Sequence, residues 1–275
     1  MRNFTGSVAL NSTKVDLMRN ILSLLTCIVL VGAPMTAQSA HPLITDDTGT
    51  QGKGRFQLEV TGEYGRDRET VSGLATKTTA GQMNATFTAG VADAVDIFVD
   101  APHQWNRTEA MGTVLFSESG VSDVSVGLKW RFFDTDGLRF AFKPVLSLPS
   151  GDENKGLGTG KAGYSAFLVV EKEVAPVAVL LNLGYIWNDN KVDAEKDLWH
   201  VSLAATYQVV KHLKLATNVG MDKNTDKAAD QDPAFALVGI IYSVNGDLDI
   251  SLGVKRGLND AEIDTTLLAG VTMRF

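Results

Sequence analysis

The chain has 275 residues, enough for one large domain or two small ones, with 26 glycines, one cysteine and a formal net charge of −7. An acidic balance without any basic stripe excludes a nucleic-acid binder. The lone Cys27 lies in a leader-like stretch, so a processed chain would hold neither a disulfide framework nor a thiol nucleophile.

Residues 21–33 (ILSLLTCIVLVGA) form the only continuous apolar run, with Arg19 before it and Pro34 and small residues after it. The run is too short to span a bilayer comfortably and reads as a secretory signal. Cleavage after Ser39 places Ala37 and Ser39 at the small-residue positions; cleavage after Ala40 puts Gln38 third from the cut. Met18-Arg19-Asn20 repeats the opening MRN and points to a start at Met18. A lipoprotein site at Cys27 is disfavoured, because the apolar stretch continues beyond it. Residues 1–40 are therefore read as an extension plus signal peptide, residues 41–54 as a polar segment, and residues 55–275 as one domain.

Alternation begins after Gly54. Phe56, Leu58, Val60 and Tyr64 oppose Gln57, Glu59, Thr61 and Glu63; Met83, Ala85, Phe87, Ala89 and Val91 oppose polar residues in the same way. Short period-two runs follow at 95–100, 124–132 and 138–148, then near 161–173, 175–188, 196–209, 211–222, 232–244, 246–256 and 262–275. This is the pattern of strands with one dry face, about twelve in all and mostly longer than globular strands. Asn245-Gly246 predicts a type I′ hairpin. Connections are expected to alternate, with long loops at 66–77, 104–120, 149–160, 189–195 and 223–231 and tight turns between them. Aromatics fall into two bands, Phe56, Phe132, Tyr207, Tyr242 and Phe275 at one end and Tyr64, Tyr164, Tyr185, Trp187 and Trp199 at the other. Two girdles, an even strand count and alternating loop lengths predict an all-β chain: a single antiparallel transmembrane β-barrel. A soluble barrel or sandwich is the competing reading. The last strand ends in Phe275 and resembles the C-terminal strand of bacterial outer-membrane barrels, a resemblance that implies recognition by the barrel-assembly machinery.

Three stretches together, 41–59 (HPLITDDTGTQGKGRFQLE), 122–160 and 182–188 (NLGYIWN), resemble bacterial outer-membrane proteins described as meta-pathway phenol-degradation proteins and often called transporters. The resemblance implies a barrel in the lipid of a Gram-negative-type outer membrane and passage of small aromatic or hydrophobic solutes. It brings no catalytic residues and no cofactor.

The faces opposite the lipid should line a lumen. Acids there come from Glu59, Glu63, Asp96 and Asp100, and bases from Lys129, Arg131, Arg139 and Lys143. Arg131 and Arg139 are expected to face each other across the 133–137 turn. The charges either set a transverse field that orients solutes or form a salt-bridge network filling a narrow barrel. The 41–54 segment is either a plug, with Asp46 and Asp47 against the basic wall, or a periplasmic tail. Gly158–Gly163 matches G-x-G-x-x-G only formally, since a strand and no helix follows it. Asp152 and Glu153 nearby are a minor cation candidate. Histidine spacing gives no metal site. His200 and Ser202 share a lumen face, but no third group for a hydrolase is evident from sequence. The expectation is a channel and not an enzyme, with a closed structural or adhesive barrel as the alternative and an outer-membrane hydrolase as the weaker one.

Overall fold

A computed structural model describes residues 41–71 and 74–275; the expectations on residues 1–40 lie outside the described residues. Thirteen strands follow one another: β1 (Phe56–Val71), β2 (Leu74–Ala92), β3 (Val95–Ala110), β4 (Thr113–Val121), β5 (Val124–Thr135), β6 (Leu138–Leu148), β7 (Gly163–Val174), β8 (Val177–Trp187), β9 (Asp197–Val210), β10 (Leu213–Asp222), β11 (Ala234–Ser243), β12 (Leu248–Gly257) and β13 (Thr265–Arg274). Each pairs antiparallel with its neighbours, and β1 bonds both β2 and β13, so the sheet closes. Closure leaves no run of unpaired backbone facing hydrocarbon.

The barrel wall has twelve positions. The thirteenth strand arises because β4 and β5 pair successive parts of β3, β4 with His103–Ala110 and β5 with Val95–Asp100. They are two lengths of one wall strand, interrupted at Ser122 and Asp123. Asp123 sutures the loop above the break: its carboxylate accepts from Gly151 N and Thr159 N, both at 2.9 Å, and from Thr159 Oγ1 at 3.0 Å. The Gly-rich 158–163 stretch is thus a loop pinned to the wall, leading straight into β7.

Several local expectations are corrected. Residues 66–77 and 104–120 are not long loops; β1, β2, β3 and β4 run through them as extended hairpins. The lipid signal fades there because charged residues such as Lys77 and Arg107 interrupt the outward apolar face, yet Thr76, Thr78, Thr79 and Thr108 favour strand and keep the ladder going. Arg131 and Arg139 do not face each other. The strands run on to a two-residue turn, Asp136-Gly137, so Arg139 lies opposite Asp134 and Arg131, past a bulge, opposite Ala141; Asp134 is in reach of both cations. The β11–β12 connection spans residues 244–247 and is not a two-residue I′ turn; Asn245 Oδ1 accepts from Asp247 N at 2.8 Å.

Burial is inverted relative to a water-soluble protein. Leu203, Leu252, Leu267 and Val238 are about half exposed or more, whereas Lys129, Lys143, Asp96, Asp100 and Asn218 are at most 2 % exposed. Apolar side chains on the outer face and polar ones inside are what a lipid-facing barrel requires. Phe56, Phe132, Tyr207, Tyr242 and Phe275 are exposed at the turn end, as are Tyr64, Tyr164, Tyr185 and Trp187 at the loop end; Trp199 is half-buried. Phe56 stacks on both Phe87 and Phe275, with ring centroids 5.9 and 6.1 Å apart. Phe56 and Phe275 also exchange both backbone hydrogen bonds, 2.7 and 3.0 Å, closing the seam.

Candidate functional site in the barrel lumen

Residues 41–54 precede β1 and lie inside the barrel. Leu43 packs among Leu180, Ala204, Phe235 and Leu237, an apolar patch of the inner wall, and is 1 % exposed, with Ile44 against the same cluster. Burying Leu43 contributes about 2 kcal/mol. His41 and Pro42 press against the wall where it has no side chains. A Cβ on Gly270 would come within 2.5 Å of His41 Nδ1, and one on Gly239 within 2.4 Å of Pro42 Cγ. Glycine at these two positions makes the close approach feasible.

Polar contacts then fix the segment residue by residue. His41 Nδ1 lies 2.6 Å from Ser251 Oγ, while its Nε2 is buried without a partner. Asn218 Oδ1 accepts from Ile44 N at 2.7 Å and from Thr45 N at 3.0 Å; Asn218 Nδ2 donates to Thr45 Oγ1 at 2.7 Å. Thr48 donates its hydroxyl to Glu171 Oε2 at 2.5 Å and its N–H to the same oxygen at 3.2 Å. Gln51 N donates to Asp96, 3.0 and 3.1 Å to the two carboxylate oxygens.

The centre of the arrangement is Asp46. Lys129 Nζ donates to its Oδ1 at 2.9 Å and Lys143 Nζ to its Oδ2 at 2.7 Å, with all three side chains at most 3 % exposed. Lys129 also reaches the Asp47 carbonyl at 3.0 Å and Oδ1 at 3.4 Å. Lys143 lies over the Phe98 ring, 5.0 Å from its centroid. Burial pushes the Asp46 carboxyl up, but Lys129 and Lys143 outweigh it and hold it below the ordinary value. Asp47 moves the other way: burial raises it, and Lys129 does not outweigh burial together with the neighbouring Asp46 and Glu171 charges. The His41 imidazole is lowered to about 4, because burial disfavours its cation.

The remaining charges from the sequence disperse. Glu59 accepts from Thr272 Oγ1 at 3.0 Å, and Asp100 accepts from Thr86 Oγ1 at 2.6 Å and from Asn84. Asp96 is the cross-strand partner of Lys129. Glu63 lines a small side cavity beside Lys255. Arg131 and Arg139 sit together at the turn-end rim with Asp134, 3.5 and 3.8 Å away, and Arg139 also pairs with Glu171 at 3.3 Å and with Glu173. Asp152 caps the short 3₁₀ turn and Glu153 pairs with Lys191 at 2.9 Å. Of the lumen charges named from sequence, only Lys129, Lys143, Asp46, Asp47 and Asp96 converge. Asn218, Glu171 and Ser251 were not singled out, although each is a polar residue at a lumen-facing strand position.

Two cavities lie on either side of residues 41–54. The loop-end cavity, about 420 Å³, has Val145, Phe167, Ile186 and Leu198 beside His200 and Asp222. The turn-end cavity, about 500 Å³, is polar, with Asp47, Glu59, Lys129 and Arg274 among its lining. They share no lining residue.

Comparison with known proteins matches this architecture. The family model described as "Putative MetA-pathway of phenol degradation" matches residues 40–275. No curated protein matches the sequence. Among solved structures, an outer-membrane channel from Pseudomonas putida F1 superposes with a TM-score of 0.65 at 17 % identity, over 83 % of this chain and 98 % of that one. The KdgM porin gives 0.54 at 10 % identity (80 % and 99 % covered), and the NanC porin 0.52 at 11 % (78 % and 98 %). At these identities the likeness is one of fold, and the fold is that of outer-membrane channel and porin barrels.

Proposed function

The chain belongs to the family described as "Putative MetA-pathway of phenol degradation", and on that premise we propose that it is an outer-membrane channel for passive passage of small aromatic or hydrophobic compounds, closed at rest by residues 41–54. The observation that carries the reading is the Asp46 carboxylate held between Lys129 and Lys143 in mid-lumen, with a separate cavity on each side. A segment bonded to β3, β5, β6, β7, β9, β10 and β12 at once obstructs the bore while in place. It is held by many contacts of about 1 kcal/mol each, so a modest perturbation of several can shift it.

In the closed state Asp46 and Asp47 of the segment offset the charges of Lys129 and Lys143. With the segment withdrawn, Lys129 and Lys143 of β5 and β6 would adjoin Asp96 and Asp100 of β3, with Glu59 two strands further round on β1, and the uneven charge would set a field along that side of the path. Arg131 and Arg139 would form the turn-end rim, with Glu63 higher on β1. Passage by diffusion needs no energy source. The likeness to outer-membrane channels supports placement in that membrane, with Phe275 offered to the barrel-assembly machinery and the outer belt to lipid.

Proteoliposomes carrying the mature chain test the solute class. The reading predicts faster entry of phenol-sized aromatic solutes than of sugars of equal mass, and a gain for both classes when residues 41–54 are deleted. No entry of either class through the deleted form, with folding confirmed by heat-modifiable migration, would leave a closed structural barrel.

A further inference from the structure

His200 and Ser202 face the lumen from β9, and the residue paired with His200 across the ladder is Asp222 of β10. His200 Nε2 lies 2.8 Å from Ser202 Oγ and its Nδ1 lies 2.6 Å from Asp222 Oδ1. Those are the contacts, on the correct ring nitrogens, of a nucleophile, its base and the group that orients the base. The register explains why sequence spacing did not show it: the third member is supplied by the neighbouring strand.

The direction of every proton in this chain of contacts is fixed by its ends. Asn218 Nδ2 can only donate, and it donates to Thr45 Oγ1 at 2.7 Å. Thr45 therefore spends its own proton on Ser202 Oγ, 2.8 Å away. Ser202 is left to donate to His200 Nε2, and His200 Nδ1–H to donate to the Asp222 carboxylate. The imidazole is thereby held with Nε2 free to accept, the tautomer a general base needs. The edge of Phe167 against the ring, 6.1 Å between centroids, limits its rotation.

Thr45 Oγ1 is an oxygen beside the serine hydroxyl that also receives a hydrogen bond from a side-chain amide. In acyl transfer that place belongs to the substrate's carbonyl oxygen, and the amide serves as the oxyanion donor. The loop-end cavity meets the triad at His200 and Asp222 and offers Val145, Phe167, Ile186 and Leu198 to an apolar group. We infer that Ser202, His200 and Asp222 form a latent serine-hydrolase centre in the lumen, covered by Thr45, that takes small esters bearing an apolar group.

In the reaction, Ser202 Oγ bonds to the ester's acyl carbon and passes its proton to His200 Nε2. The carbonyl electron pair moves onto oxygen, which Asn218 Nδ2 receives. Collapse breaks the carbon–alkoxy bond, and the alcohol leaves with the proton from His200. A water, deprotonated by the same nitrogen, then attacks the acyl-serine, releases the acid and restores Ser202. Asp222 holds the imidazole and balances its transient charge.

The test uses the refolded full chain with a fluorophosphonate probe, which bonds to activated serines, and p-nitrophenyl butyrate. Thr45→Gly is expected to raise labelling at Ser202, located by mass spectrometry, at least tenfold over the parent. Adding His200→Ala or Asp222→Asn to Thr45→Gly should lower labelling by about 100-fold or more, and ester hydrolysis with it. Should Thr45→Gly not fold, deletion of residues 41–54 exposes the same hydroxyl and takes the same additions. Labelling of the folded, uncovered barrel no faster than its Ser202→Ala version, or unchanged by His200→Ala, would overturn the inference and leave the contacts as a tie for the segment.

Discussion

Replacing Asp46 with alanine is expected to open the barrel rather than unfold it. The substitution leaves Lys129 and Lys143 buried without their shared carboxylate, and removing one partner of a buried pair costs about 3 kcal/mol or more. The cost falls on the docked segment, because once it withdraws both ammonium groups regain water while the strand ladder stays intact. At 3 kcal/mol the docking equilibrium moves by roughly a hundredfold. Single-channel recordings should show open events far more often than in the parent, at unchanged heat-modifiable migration. An Asp46→Ala barrel as silent as the parent would show that the ion pairs do not hold the segment.

Acidification is expected to loosen the other end of the same segment through His41. Its imidazole is lowered from 6.5 to about 4 by burial in the seated state, where Nε2 has no acceptor to receive a proton's hydrogen bond. The withdrawn segment therefore binds a proton more readily than the docked one. Docking is undiminished above pH 6.5, weakens as pH falls toward 4, and loses no more from this residue below that. The full effect is roughly 3 kcal/mol. Asp46, held below the ordinary carboxylate value, keeps its contribution through this window and loses it only at more acidic pH. Asp47 is raised and acts oppositely, gaining docking as pH falls. The comparison that isolates His41 is thus parent against His41→Asn. Between pH 7 and 4.5 the parent's open probability should rise by more than the variant's, by on the order of 50-fold. Superimposable pH curves would count against a buried neutral His41.

How far the sequence carried depends on which force acted at each residue. Lipid enforces a strict period of two, so the outer face of β13 from Leu267 to Met273 was legible from alternation alone, and so was the place of Phe56 and Phe275 in one aromatic band; that the two meet at the seam was not. Where the hairpins leave the lipid, at 66–71, 74–77 and 104–120, the inward face is still buried at Thr76, Thr108 and Ala110, but the outward face carries charges such as Lys77 and Arg107. Hydropathy then goes silent and strand reads as loop. The length of a turn was less legible: β5 and β6 extend to Thr135 and Leu138, and the two-residue turn between them sets Asp134, not Arg131, opposite Arg139. Lumen-facing charges could be named by parity, but what each one touches depends on the register of neighbouring strands and on where residues 41–54 lie. Asp222 was invisible as the partner of His200 for that reason. Asn218, which receives two backbone N–H groups of the segment, looked like one more polar residue on an inward face.

The most direct measurement is single-channel conductance in planar bilayers of refolded residues 41–275, with and without residues 41–54. The account predicts a mostly closed parent and a steady conductance in the deleted form. Equal conductance from both would contradict occlusion by the segment, and silence from both, with folding confirmed, would contradict a through-channel in this barrel.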